Sequence, residues 1–213
     1  MRTTRRTSFH VRVEQQPGST YRVQYHTDWA SDWDRDEHRA FPILKFLAGL
    51  DFAPKITSLM LTSEDEGVNG TQSWEVEHML GALTAITGLQ ALAFPLNTPQ
   101  RHHGIIVTHN DSYDENGALG LILGACPQLR SLTAPSAPGP HFFERGTHGL
   151  EVLNLQSGYD TQQFIKNLAT STCFPALQSL TFQDYHQTYM ENYKGKWYLI
   201  SDAGVVAVRA VGE

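Results

Sequence analysis

The sequence predicts an α/β fold, a single domain over residues 1–213 wound as a short right-handed solenoid with a parallel sheet, helices on the outer face and an N-terminal β-hairpin cap. Three observations predict it. A short leucine-bearing pattern recurs five times, segments with helical apolar spacing separate the copies, and proline interrupts the chain at two helix-to-strand joints.

In chain order, the hairpin comes first. Phe9 to Val13 and Tyr21 to Tyr25 each alternate apolar and polar residues, and a Gln-Gln-Pro-Gly-Ser stretch around Pro17 separates them. Two strands joined by a turn are expected over residues 8–27, and this hairpin covers the open end that a stack of repeats would otherwise expose. A first helix is expected over about residues 36–50, with Phe41, Leu44 and Leu47 on one face and Pro42 in the first turn, where its missing N–H is harmless.

The recurring pattern is an apolar residue, two variable residues, a leucine, one variable residue and a further, mostly apolar residue. It reads Ile56, Leu59, Leu61; Leu89, Leu92, Phe94; Leu129, Leu132, Ala134; Leu150, Leu153, Leu155; and Leu177, Leu180, Phe182. The end of each copy alternates with period two, the signature of a half-buried strand. Between copies the period changes. Trp74, Val76, Met79, Leu80, Leu83 and Ile86 recur at helical spacing, as do Leu119, Leu121, Ile122 and Leu123; a third helix carries Phe164, Ile165 and Leu168, and Asp160-Thr161 is its expected N-cap. Strands that alternate with helices must pair in parallel through right-handed crossovers. The joints at Cys126-Pro127 and Cys173-Phe174-Pro175 read as equivalent, with their two cysteines as matching structural residues.

These residues resemble the leucine-rich repeat family, whose units read LxxLxLxxN and stack into a horseshoe with strands inside and helices outside. The unit from Leu89 to Asn97 carries the whole motif, asparagine included. Glu64, Ala137, Gly158 and Tyr185 occupy the asparagine position in the other four, so the side-chain ladder that serves the turns of regular members is missing there. The likeness runs from Ile56 to Phe182 and is similar to the divergent, helix-containing repeats of bacterial cytosolic proteins. Residues 36–183 form the expected repeat region. Residues 184–213, with Tyr185, Tyr189 and Tyr193 at helical spacing, form a divergent C-terminal cap or tail.

Composition narrows the function. A formal net charge of −6 is the wrong sign for a surface that neutralises phosphates, so nucleic acid is not the expected partner. No apolar run approaches the ~20 residues of a membrane helix, and Arg2, Arg5 and Arg6 are not followed by the apolar segment of a signal peptide. With only Cys126 and Cys173 present, a reducing cytoplasm is the expected compartment.

Phosphate-binding GxxxxGK[ST], dinucleotide-binding GxGxxG, the GxSxG elbow and HExxH are all missing. The alternative to a binding protein is a metal-dependent hydrolase built on His102, His103 and His109, near Asp111 and Asp114 in one long loop. Their spacing fits no ligand template, so a solvated loop is the expected reading. The acidic turn at Glu64, Asp65 and Glu66 is read as an ordinary charged turn, and Trp29 and Trp33 among aspartates are expected to pack under the hairpin cap rather than to form an exposed contact site.

The resemblance implies a non-enzymatic protein-binding module, of immunity or adaptor kind, that holds another protein and needs no cofactor. Its contact surface is expected on the outward strand positions Met60, Thr62, Ala93, Thr133 and Asn154, continuing through Gln156, Thr181 and Gln183. Loops at the carboxyl ends of the strands add Tyr159, Asp160 and Tyr185.

Overall fold

The structure, a computed structural model, describes residues 9–17, 20–27, 40–63, 72–96, 104–108, 115–144, 146–157, 163–184 and 196–200. Strands β1 (Phe9–Gln16) and β2 (Thr20–Thr27) form the expected antiparallel hairpin, paired along their whole length. Helix α1 (Ala40–Ala48), with Pro42 in its first turn, leads through a short 3-10 turn into β3 (Ile56–Ser63). Then follow β4 (Gln72–Glu75), α2 (Val76–Ala85), β5 (Ala91–Ala93), β6 (Gly104–Val107), α3 (Ala118–Ala125) and β7 (Ser131–Ala134). The last described elements are β8 (Val152–Ser157), α4 (Phe164–Thr170), β9 (Ser179–Asp184) and β10 (Lys196–Ile200).

The fold is mixed α/β. Among the described residues its main sheet has eight strands in the order β1-β2-β3-β5-β7-β8-β9-β10; every neighbouring pair from β2 to β9 is parallel, and one antiparallel pair lies at each end. Strands that follow one another as parallel neighbours need a crossover, which the intervening helices and loops supply.

The pattern leucines are the spine of this sheet. Leu59 aligns with Leu92, Leu92 with Leu132, Leu132 with Leu153 and Leu153 with Leu180, and Val23 continues the row onto β2. All six are buried, together with Leu61, Phe94, Ala134, Leu155 and Phe182 two residues further on. Their partners on the helices include Leu44, Leu47, Met79, Leu83, Leu119, Ile122 and Phe164 in the same core. Each large aliphatic side chain withdrawn from water contributes about 1.5–3 kcal/mol, so a row of five commits the strands to one register.

The joints before the strands repeat as well. The amides of Leu89, Leu129 and Leu177 donate to the carbonyls three residues back, on Ile86, Cys126 and Phe174, at 3.1, 3.0 and 3.2 Å. Immediately after the first residue of a pattern copy a carbonyl clamps the next turn of chain: that of Gln90 accepts from Arg130 and Ser131, that of Arg130 from Glu151 and Val152, and that of Glu151 from Gln178 and Ser179. This alignment corrects the cysteine equivalence. Cys126 occupies the place of Phe174, not of Cys173, and only Pro127 and Pro175 correspond. Cys126 is buried, and burial alone pushes its thiol up to about 12. Cys173 is half-buried, and its thiol donates to the carbonyl of Phe143.

Two elements differ from expectation. Trp74 does not begin a helix; it lies in β4, which pairs in parallel with β6, and the helix starts only at Val76. The long loop expected after the second copy contains β6, whose four residues are all buried. Four consecutive apolar residues are too short a run to reveal a period. Ser136, itself buried, closes the far edge of this second sheet: its hydroxyl accepts the Ile106 amide at 2.6 Å and donates to the Ile106 carbonyl at 3.4 Å. The N-cap of α4 is also relocated. Gln163, in the left-handed region at φ 52°, takes that position, and Asp160-Thr161 lie outside the described residues.

A candidate binding face on the open side of the sheet

Because a strand alternates its side chains, the residues between the buried leucines point away from the helices. Met60 aligns with Ala93, Ala93 with Thr133, Thr133 with Asn154 and Asn154 with Thr181, making one continuous row across five strands. A second row, two residues nearer the start of each strand, holds Ser58, Ala91, Ser131, Val152 and Ser179. All ten are exposed or half-exposed, in contrast to the leucine row between them. Neither row carries a charge. Small side chains on β5 and β7 stand between the longer Met60 on one side and Val152 and Asn154 on the other.

Five of the expected contact residues thus meet in one row, and two others do not belong to the surface. Gln156 and Gln183 are 5% and 4% exposed. They are aligned partners on β8 and β9, and the Gln156 amide donates to Gln183 Oε1 at 3.1 Å. This one bond joins the two side chains across adjacent strands while Gln156 Oε1 stays buried without a partner, so these residues belong to the interior and leave the contact surface. Thr62 lies on β3 in register with His26. Tyr159, Asp160 and Tyr185 lie outside the described residues, as do His102, His103 and His109, Glu64 to Glu66, Trp29, Trp33, Tyr189 and Tyr193. Among the described residues no group of three or more His, Cys, Asp or Glu side chains could hold a metal ion.

Two ionisable residues, one buried and one half-buried, escaped the sequence reading. Glu115 is buried before α3, where it accepts the amides of Gly117 at 3.0 Å, of Leu119, and of Gly139 at 2.8 Å. It therefore caps a helix and ties down a loop of the following turn, work that the asparagine ladder does in regular repeats. Burial pushes its carboxyl above the usual range, against the opposing pull of those three amides and of His141. The available signal was Asn116-Gly117 just before the helix, a pair that adopts φ 52° and 85°. The second residue is His148, whose two ring nitrogens are buried without a hydrogen-bond partner. Burial lowers its pKa, and the positive charge of Arg130 adds to the effect, while the nearby carbonyls of Cys126 and Leu123 oppose it.

The class defined by these features is a mixed α/β protein with one sheet face under helices and the other open. Compared with known proteins, the chain matches no family model, no curated protein and no solved structure. No helix among the described residues is long and apolar enough to cross a membrane.

Proposed function

We propose that this chain is a non-enzymatic, cytoplasmic protein-binding module, a divergent leucine-rich-repeat solenoid that holds another protein on its open sheet face. One observation carries the reading: Met60, Ala93, Thr133, Asn154 and Thr181 stand side by side on five adjacent parallel strands, uncharged and accessible. A short row of hydroxyls, an amide and a thioether offers hydrogen bonds and van der Waals contact but no group for acid–base or nucleophilic work. Recognition suits such a surface; immunity and adaptor proteins are the kinds of module it fits.

The test is capture of a partner by the purified chain, compared with Thr133→Arg and Asn154→Arg. Each substitution sets a long charged side chain in the middle of this neutral row, and both should lose the partner without a change in melting temperature. Lys166→Glu, on the exposed flank of α4, should keep it. A partner held equally by both arginine variants would place recognition elsewhere and overturn the reading.

A further inference from the structure

Strand β1 ends the sheet. It pairs with β2 through all eight residues without a register shift, and no described strand lies along its outer edge. An edge of this length presents a row of amides and carbonyls to a further strand, and proteins ordinarily blunt such edges with charged side chains, lysine above all, with proline or with a bulge; the only charges on β1 are Arg12 and Glu14, of opposite sign and paired. Between Phe9 and Gln16 there is neither lysine nor proline.

The two faces of β1 differ in chemistry. Val13 aligns with Val23, which is wholly buried on the helix side of the sheet, so Val11 and Val13 continue the core face beyond the helices. They are 39% and 45% exposed. Arg12 and Glu14 occupy the opposite face, joined by an ion pair at 2.7 Å. An apolar stripe that prolongs the core and a neighbouring pair of opposite charges are the two halves of a self-complementary surface.

We propose that two copies of this chain associate through β1, antiparallel about a two-fold axis at Val13. In that register Val13 meets its own counterpart, and each Arg12 lies directly across from the second copy's Glu14, so both cross-strand charged pairs are attractive. Centring the axis on Arg12 would oppose two arginines. A slip by one residue would set valines against charges. The second copy also covers the exposed valines and makes the sheet continuous across the two chains.

Sedimentation velocity of the full chain over a concentration series tests this. The wild type should show a reversible monomer–dimer equilibrium. Arg12→Glu and Glu14→Arg should each raise the dissociation constant about tenfold, because two attractive pairs become repulsive. An equimolar mixture of the two variants should restore wild-type affinity as a heterodimer, since every cross-strand pair is then again of opposite sign. Circular dichroism of each variant alone checks that the fold is kept, and restored association in the mixture excludes misfolding independently. A wild type that stays monomeric throughout, single variants that dimerise as tightly as the wild type, or a mixture that fails to associate would each overturn the proposal.

Discussion

Gly88 lies so close to Pro54 that a β-carbon on it would stand 2.3 Å from the Pro54 carbonyl oxygen. The two residues belong to successive helix-to-strand joints, Gly88 just before Leu89 and Pro54 just before Lys55 and Ile56. The close approach lets the joints stack and precedes the 2.9 Å bond from the Gln90 amide to the Thr57 carbonyl.

Gly88→Ala should therefore cost about 1–3 kcal/mol, because the atom it meets is backbone and can yield only by moving β5 from β3. Gly81, on α2 with nothing within 4 Å of its missing β-carbon, is the control. Gly81→Ala should stabilise by about 0.5–1 kcal/mol through helix propensity alone. Urea denaturation of the two variants measures both, and equal stabilities would refute the packing account.

Glu115→Ala should leave the amides of Gly117, Leu119 and Gly139 without their acceptor. At about 1–3 kcal/mol for each buried group left unsatisfied, the loss is expected to reach at least about 3 kcal/mol. The carboxyl is raised in the folded state, so its contribution is fully present below the ordinary value near 4.5 and is lost as pH rises through the raised one. Stability measured from pH 4 upward should decline across that window in the wild type, and the variant should lack the decline.

His148 has the opposite sign. Its folded-state pKa is lowered, so the stability tied to its neutral form is complete above about 6.5 and is lost as pH falls through the lowered value. His148→Phe removes two buried nitrogens that have no partner and keeps an aromatic ring beside Phe174, whose centroid lies 6.4 Å away. The variant should match or exceed wild-type stability at pH 7 and lose less between pH 7 and pH 5; a steeper acid loss would count against this role.

Where periodicity was long enough to read, sequence and structure agree. Leu59, Leu92, Leu132, Leu153 and Leu180 each stood in a copy of one pattern, and their alignment across β3, β5, β7, β8 and β9 follows from burying the same face of each strand. The row from Met60 to Thr181 was legible for the same reason, since period two assigns the alternate residues to the other face. Where the run was short, the reading failed: Gly104 to Val107 is four residues long, and Trp74 lies just outside the helix whose period it matches. Gln156 and Gln183 have the parity of a surface residue, yet each is the other's hydrogen-bond partner 27 residues away.

By itself the sequence determined the N-terminal hairpin, the five pattern strands and the main run of the helices between them, which face of each pattern strand is apolar and that these five run parallel, because local period and burial decide these. Only the tertiary structure decided which distant groups meet: Ser136 on Ile106, Glu115 on Gly139, the paired glutamines, and Gly88 against Pro54. Those contacts join residues far apart in the chain. A period reports which way a side chain points, whereas the atom it meets depends on how the turns of chain stack.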